Sequence, residues 1–300
     1  MSPIVPCLWF DDQAEAAATF YTQFLPDARI TSTTRYPEDV DNPAGRPRGS
    51  VITAEFEAAG VRFVALNGGP MFKISPAISF FLLVDTPEEA DRYYAALEPG
   101  GQAFMPIGEY PWSPRYAWVQ DRFGVSWQII TGRRGEDGPV LVPALMYAND
   151  VAGRADEAMA LYTRVFPGSK IESVERYEEG EGPVEYVKHA RFVLSGQGMI
   201  ASDSHMPHGF KFTEGLSFQV PCKDQAEIDR YWAELLDGGE PGRCGWLKDR
   251  FGVSWQVLPA DIGRWLNHPD LAARSRAFEI MMGMNKLDVA ALDAAITQAG

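Results

Sequence analysis

The octapeptide DRFGVSWQ occurs twice in this 300-residue chain, at residues 121–128 and again at 249–256. Eight consecutive identities that include Phe and Trp are not an accident of composition. The chain is therefore internally duplicated, and a repeat decides the architecture before any single element does. The match extends well beyond the octamer. Val5-Pro6-Cys7 answers Val142-Pro143-Ala144, Tyr21-Thr22 answers Tyr162-Thr163, and Phe72-Lys73 answers Phe210-Lys211. Asp91-Arg92-Tyr93-Tyr94 answers Asp229-Arg230-Tyr231-Trp232. Copy one is assigned to residues 1–132 and copy two to 140–260, with a charged, glycine-bearing linker over 133–139 and a tail over 261–300. Copy one is the longer, and its extra residues from Met105 to Pro114 read as a Pro- and aromatic-bearing loop.

Each copy repeats one pattern twice. Ala17, Phe20, Tyr21 and Phe24 fall at i, i+3, i+4, i+7, and so do Ala90, Tyr93, Tyr94 and Leu97. Ala158, Leu161, Tyr162 and Val165, and then Ile228, Tyr231, Trp232 and Leu235, follow the same spacing in copy two. That spacing gathers four side chains on one helix face. Asp12 with Glu15, Thr86 with Glu89, and Asp224 with Glu227 have the separation of a capping box. Between the helices lie short β-branched and aromatic runs, at 4–10, 28–35, 50–57, 61–67, 78–84, 102–107, 115–120 and 125–131 in copy one. The order is β-α-β-β-β, twice per copy and four times in the chain, an α+β fold. Helices on one face of an antiparallel sheet leave the other face free. Two such sheets facing each other make a half-open cup, a natural small-molecule site. The tail carries two helical stripes, Leu271, Phe278, Met281, Met282 and then Leu287, Leu292, Ile296, with Asp270 and Asp288 as caps. This hairpin is expected to dock on copy two or on a partner subunit.

Composition narrows the partners. With 46% apolar and 23% charged residues, each copy can bury its own core. A formal charge of −14 repels phosphate backbones, so nucleic acid and anionic membrane are poor partners. No run of 18 apolar residues occurs, and Met1-Ser2-Pro3-Ile4 has no basic segment leading into an apolar one, so neither a membrane span nor a signal peptide is expected. Cys7, Cys222 and Cys244, odd in number, read as reduced thiols of a cytoplasmic protein.

Paired βαβββ units, with Leu8-Trp9-Phe10 before a capped helix, Phe20-Tyr21, Leu66-Asn67-Gly68-Gly69-Pro70 and the run from Gly245 to Gln256, resemble the glyoxalase/bleomycin-resistance/dioxygenase (vicinal-oxygen-chelate) superfamily. The branch they resemble is the PhnB-like one, labelled 3-demethylubiquinone-9 3-methyltransferase-like. The resemblance covers residues 3–260. It implies four modules arranged as glyoxalase-like half-open barrels, plus the helical tail. It also implies a small-molecule ligand and an intramolecular pseudo-dimer of the two copies, and leaves a homodimer open.

Catalytic members of that superfamily hold a divalent metal with a His on the first strand, a His on the fifth and a Glu on the eighth. On this chain those positions are Val5, Ser79 and Gln128 in copy one, and Val142, Ser217 and Gln256 in copy two. None is an ordinary ligand for a divalent transition metal. All four histidines, His189, His205, His208 and His268, lie in the second half of the chain. No metal or other cofactor is expected, and the one alternative metal set is Asp203, His205 and His208. Methyl transfer has no support from the residues, because no glycine-rich loop opens a helix after a first strand.

The ligand-binding candidates are Cys7, Trp9, Ser79, Trp118, Gln128, Ser217, Trp246 and Gln256, with Lys73 and Lys211. Gln128 and Gln256 stand at the family's glutamate position, where an amide either orients a ligand or satisfies a neighbouring strand. Alternation puts Trp127 and Trp255 on the opposite face from the glutamines, and Cys7 and Trp9 on the face of Val5. Trp9, Trp118 and Trp246 offer stacking surfaces. Lys73 and Lys211 either meet an anionic ligand at the cup rim or are simply exposed. Asp121-Arg122 and Asp249-Arg250 read as turns with a local ion pair, and Cys244 as a small packed residue. Three functions stay open: a metal-free small-molecule enzyme, a sequestering protein of the antibiotic-resistance kind, and a metal-dependent lyase or dioxygenase.

Overall fold

The computed structural model describes residues 4–42, 44–132 and 140–297. The linker assigned to 133–139 lies outside the described residues. Module one is β1 (Val5–Phe10), α1 (Ala14–Tyr21), β2 (Arg29–Arg35), β3 (Val51–Ala58) and β4 (Val61–Asn67). Module two is β5 (Ile78–Val84), α2 (Pro87–Leu97), β6 (Gln102–Tyr110), β7 (Ser113–Gln120) and β8 (Ser126–Thr131). Module three is β9 (Leu141–Tyr147), α3 (Ala155–Val165), β10 (Lys170–Arg176), β11 (Val187–Leu194) and β12 (Gln197–Asp203). Module four is β13 (Leu216–Cys222), α4 (Gln225–Leu236), β14 (Glu240–Pro241), β15 (Trp246–Lys248) and β16 (Ser254–Pro259). The tail forms α5 (Gly263–Leu266), α6 (Leu271–Gly283) and α7 (Val289–Thr297). The two octapeptides occupy equivalent places, a turn leading into β8 and a turn leading into β16.

The fold is α+β, built on two eight-stranded mixed sheets. The sheets do not follow the copies. One has the order β14-β15-β16-β13-β1-β4-β3-β2 and so joins modules four and one. The other, β10-β11-β12-β9-β5-β8-β7-β6, joins modules three and two. Two antiparallel seams make the joins, Cys7 opposite Ser217 between β1 and β13, and Ser79 opposite Ala144 between β5 and β9. A cup assembled inside one copy is thus corrected: each cup takes half its strands from each copy. The family positions regroup accordingly, Val5 with Ser217 and Gln256, and Val142 with Ser79 and Gln128.

The helix-covered faces of both sheets merge into one core containing Tyr21, Phe56, Phe80 and Trp127 of copy one with Tyr162, Phe166, Phe218 and Trp255 of copy two. Alternation along the strands sends the opposite residues elsewhere. Val5, Cys7 and Val64 form a small cluster in one cup, and Phe81, Leu83, Tyr116, Ile130, Val142, Ala144 and Ile200 a larger one in the other. Met105 to Pro114 is not a loop. These residues extend β6 and β7 into a hairpin arm, on which Tyr110 and Trp112 stack with ring centroids 5.2 Å apart.

The repeated Asp-Arg pair is not a local ion pair either. Asp121 is buried and accepts from Tyr21 Oη and Trp127 Nε1, both at 2.8 Å, and from the backbone N–H of Phe123 and Val125. Asp249 does the same with Tyr162 Oη at 2.6 Å, Trp255 Nε1 at 2.9 Å, and the N–H of Phe251 and Val253. Burial pushes both carboxyls up from the usual range, against the pull of those donors. The arginines turn outward. Arg122 lies over the Phe20 ring at 4.2 Å, and Arg250 pairs with Asp237. Each aspartate thereby ties α1 or α3 to the last strand of the neighbouring module, and this is why a turn residue recurs inside the repeat.

The connectors between modules cross at the pseudo-two-fold. Ser75 Oγ donates to the Lys211 carbonyl at 2.6 Å, and Thr213 Oγ1 to the Lys73 carbonyl at 2.7 Å. Gly215 lies so close that a Cβ there would sit 2.2 Å from the Lys73 carbonyl carbon. The two copies therefore pack as an intramolecular pseudo-dimer. Among the described residues no helix is long and apolar enough to cross a membrane.

Candidate functional site

The first cup is lined at its floor by β1, β13 and β16. Gln256 Nε2 donates to Ser217 Oγ at 2.8 Å, and Gln219 Nε2 donates to Gln256 Oε1 at 3.1 Å. Cys7 lies beside them, 1% exposed, and burial pushes its thiol up to about 12. Burial thus disfavours the thiolate that a nucleophile would need while this cup is closed to water. At one end Trp9 donates its indole N–H to the Gly69 carbonyl at 2.7 Å and meets Phe72 and Trp246 edge-on, with centroids 4.9 and 5.7 Å away. Only a glycine fits beneath that indole, since a Cβ on Gly68 would fall 2.2 Å from the ring.

The second cup solves the same problem with other residues. Gln128 Nε2 donates to Ser79 Oγ at 2.9 Å, while Tyr116 Oη donates to Gln128 Oε1 at 2.5 Å. Both ends of the amide are committed, so its orientation is fixed without a metal charge. Counting back from the octapeptide, Tyr116 corresponds to Cys244 of copy two, and there Gln256 Oε1 accepts from Gln219 instead. Trp118 Nε1 donates to Ser126 Oγ at 2.8 Å, and its ring faces Phe104 and, from copy two, Phe210. A cavity of about 130 Å³ opens over this floor, lined by Ser79, Phe81, Gln128, Ala144, Met146 and His189, among others. A larger groove, about 680 Å³, lies on the helix side beside Phe24, Pro26, Arg92 and Tyr93, away from both cups.

The predicted residues thus divide. Cys7, Trp9, Ser217, Trp246 and Gln256 gather in the first cup, and Ser79, Trp118 and Gln128 in the second. Lys73 and Lys211 have exposed side chains, and it is their backbones that matter, at the connector crossing. Trp127 and Trp255 are buried on the helix side. Asp203 is taken up by structure, accepting from the N–H groups of Gly153, Ala155 and Val187. Asn67 does the equivalent work in copy one by accepting from Ala14 N. His205 packs against Tyr177, and His208 shares a hydrogen bond of 2.7 Å with Ser204 Oγ. Among the described residues no three His, Cys, Asp or Glu side chains come together. Tyr116, Gln219 and His189 were not singled out from sequence. Tyr116 was within reach, two residues before Trp118 on the same strand face, and Gln219 two residues after Ser217 on β13, whereas His189 enters a cup whose Ser79 and Gln128 come from the other copy.

Two half-open cups on swapped βαβββ modules define a duplicated glyoxalase-like protein. Glyoxalase I from Zea mays shares this fold at 11% identity, with a TM-score of 0.52 over 85% of this chain and 91% of that one. A family model described as 3-demethylubiquinone-9 3-methyltransferase matches residues 2–130 and again 139–258, and the chain belongs to that family. A putative 3-demethylubiquinone-9 3-methyltransferase, PhnB protein, from Bacillus cereus is 34% identical, over 43% of this chain and 98% of that one, with a TM-score of 0.39. No curated protein matches the chain.

Proposed function

We propose that the second cup binds a small, planar, largely apolar molecule with one hydrogen-bonding group, and does so without a metal. The fixed amide of Gln128, set between Ser79 Oγ and Tyr116 Oη over an apolar floor, is the observation that carries this reading. It presents polar atoms at one point of an aromatic and aliphatic surface, as small-molecule sites do. A divalent metal does not fit the donor set: Val142 offers nothing, Ser79 and Gln128 are neutral, and both already hold each other. The family's methyltransferase label also lacks support in the fold: among the described residues no glycine-rich loop enters a helix for a nucleotide-like methyl donor.

The test is a thermal-shift screen of small phenols and quinones, because a ligand stabilises the fold that binds it. Gln128→Ala and Tyr116→Phe should each weaken a hit by about five- to tenfold, the worth of one hydrogen bond. Equal loss in Gln256→Ala would place the ligand elsewhere and defeat the proposal. Zinc titrated by calorimetry should bind neither the unaltered chain nor Gln128→Glu. Tight stoichiometric zinc in the unaltered chain would overturn this proposal in favour of the metal-dependent reading. A catalytic reading draws on His189, which lines the cavity and meets Phe81 edge-on with ring centroids 6.4 Å apart. If it holds, His189→Ala should abolish turnover of a hit while leaving its binding within about twofold.

A further inference from the structure

We infer that the two cups are not equivalent: the C-terminal segment closes the first cup, leaving the second as the single working site of each chain. This rests on the reading that the cups bind small molecules, but the evidence for closure is separate from it. The sequence alone placed the tail on copy two or on a partner subunit. In the structure it spans both copies, meeting the opposite edges of the first sheet.

At the β2 edge, Asn267 Nδ2 donates to Thr34 Oγ1 at 3.3 Å, and Ser275 Oγ bonds Asp39. Toward the far edge, the Met284 and Asn285 carbonyls accept from the N–H groups of Cys244 and Gly245, at 2.8 and 2.7 Å, just before β15. Lys286 Nζ reaches Asp229 of α4 at 2.5 Å. Between these anchors α5 and α6 bring Trp265, Phe278 and Met281, and the turn before α7 brings Leu287, onto Tyr36, Ile52 and Leu258. Leu258 is two residues beyond Gln256 on β16 and so shares its face. Leu66 packs both on this tail cluster and on Val5, Cys7 and Val64 at the cup floor. The tail's apolar cluster is thereby continuous with the floor. The described tail docks on the first sheet and on α4, and the second cup keeps its cavity.

Natural thiols make the asymmetry measurable. Cys7 sits at the floor of the first cup, and Ala144 is its counterpart in the second, lining the cavity. Cys244 lies under the tail, with Sγ 3.4 Å from Met282 Sδ. Cys222 is buried on the helix side and reports on the core. Iodoacetamide labelling of the full chain, read by peptide mass, should modify the Ala144→Cys thiol on the order of tenfold faster than Cys7 or Cys244. In Trp265→Ala, Cys7 and Cys244 should both speed up while Cys222 stays unmodified. If Cys222 is labelled too, the core has opened, and the double variant Asn267→Ala/Ser275→Ala, which removes only polar tethers, carries the same comparison. Cys7 reacting as fast as the Ala144→Cys thiol in the unaltered tail context overturns the inference. So does a loosened tail that frees Cys244 but not Cys7. Failure to find any ligand would sink the binding proposal and leave these rates unaffected.

Discussion

Asp249→Ala should destabilise the protein by about 3–5 kcal/mol, the cost of leaving several buried donors without their acceptor. Four donors converge on that carboxylate: Tyr162 Oη, Trp255 Nε1 and the N–H groups of Phe251 and Val253. Of the four only Tyr162 Oη has a further oxygen near, Tyr147 Oη at 3.4 Å, and Asp249 is 3% exposed, so the other three donors would be left buried. Asp249→Asn should fall between the two, since one oxygen still accepts while the new NH₂ faces donors. The comparison is Asp237→Ala, which removes an exposed partner of Arg250 and should cost no more than about 1 kcal/mol. Urea unfolding followed by tryptophan fluorescence reads all three. Should Asp249→Ala move the midpoint no further than Asp237→Ala does, the repeated aspartate does not tie α3 to β16. A double cycle with Tyr162→Phe should show coupling of about 0.5–3 kcal/mol.

Gly215→Ala is the second large effect, about 1–3 kcal/mol or more from overpacking. Its Cβ would meet backbone, 2.2 Å from both C and O of Lys73, where no side chain can swing aside. The Gly215 carbonyl also accepts from Trp9 N at 2.9 Å, so a shift there disturbs the start of the first module as well as the fourth. Gly209→Ala, on the same connector, meets nothing within 4 Å and should stay within about 0.5 kcal/mol. Equal effects from the two substitutions would show that the connector crossing is slack.

Much of the strand and helix order was legible from local pattern. The β-branched and aromatic runs at 61–67 and 78–84 match β4 and β5, and the helical stripes match α2, α3 and α4, while the first stripe runs past the end of α1 to Phe24. Alternation also separated Gln128 from Trp127 correctly, because burial sets register on a two-faced strand. The pseudo-dimer of the two copies was expected and is found; what failed was the choice of which strands pair between modules. Nothing in Val5-Pro6-Cys7 says that its antiparallel partner is Leu216–Gln219 of the other copy. An Asp followed by Arg looks like a solvated turn until a tyrosine 100 residues away points at it. The aromatic stretch around Tyr110 and Trp112 looked like a loop because Pro106 and Pro114 suggested breaks. In the structure its pairing with β7 is irregular, with register shifts, and the prolines lie within that uneven hairpin.

The exchange of modules between copies also sets a timetable for synthesis. The second sheet is complete once β12 has emerged, since all its strands lie between β5 and β12. The first sheet must wait for β16, so β1, among the first residues made, spends most of translation without its β13 neighbour. A nascent chain at that stage carries one finished sheet and one half-sheet with an open seam, the kind of unpaired edge that recruits wrong partners. The slowest event in folding should then be the closing of β1 on β13, the seam with the longest sequence separation. Ribosome-bound chains stalled before Leu216 should depend on holdase chaperones far more than chains stalled after Pro259.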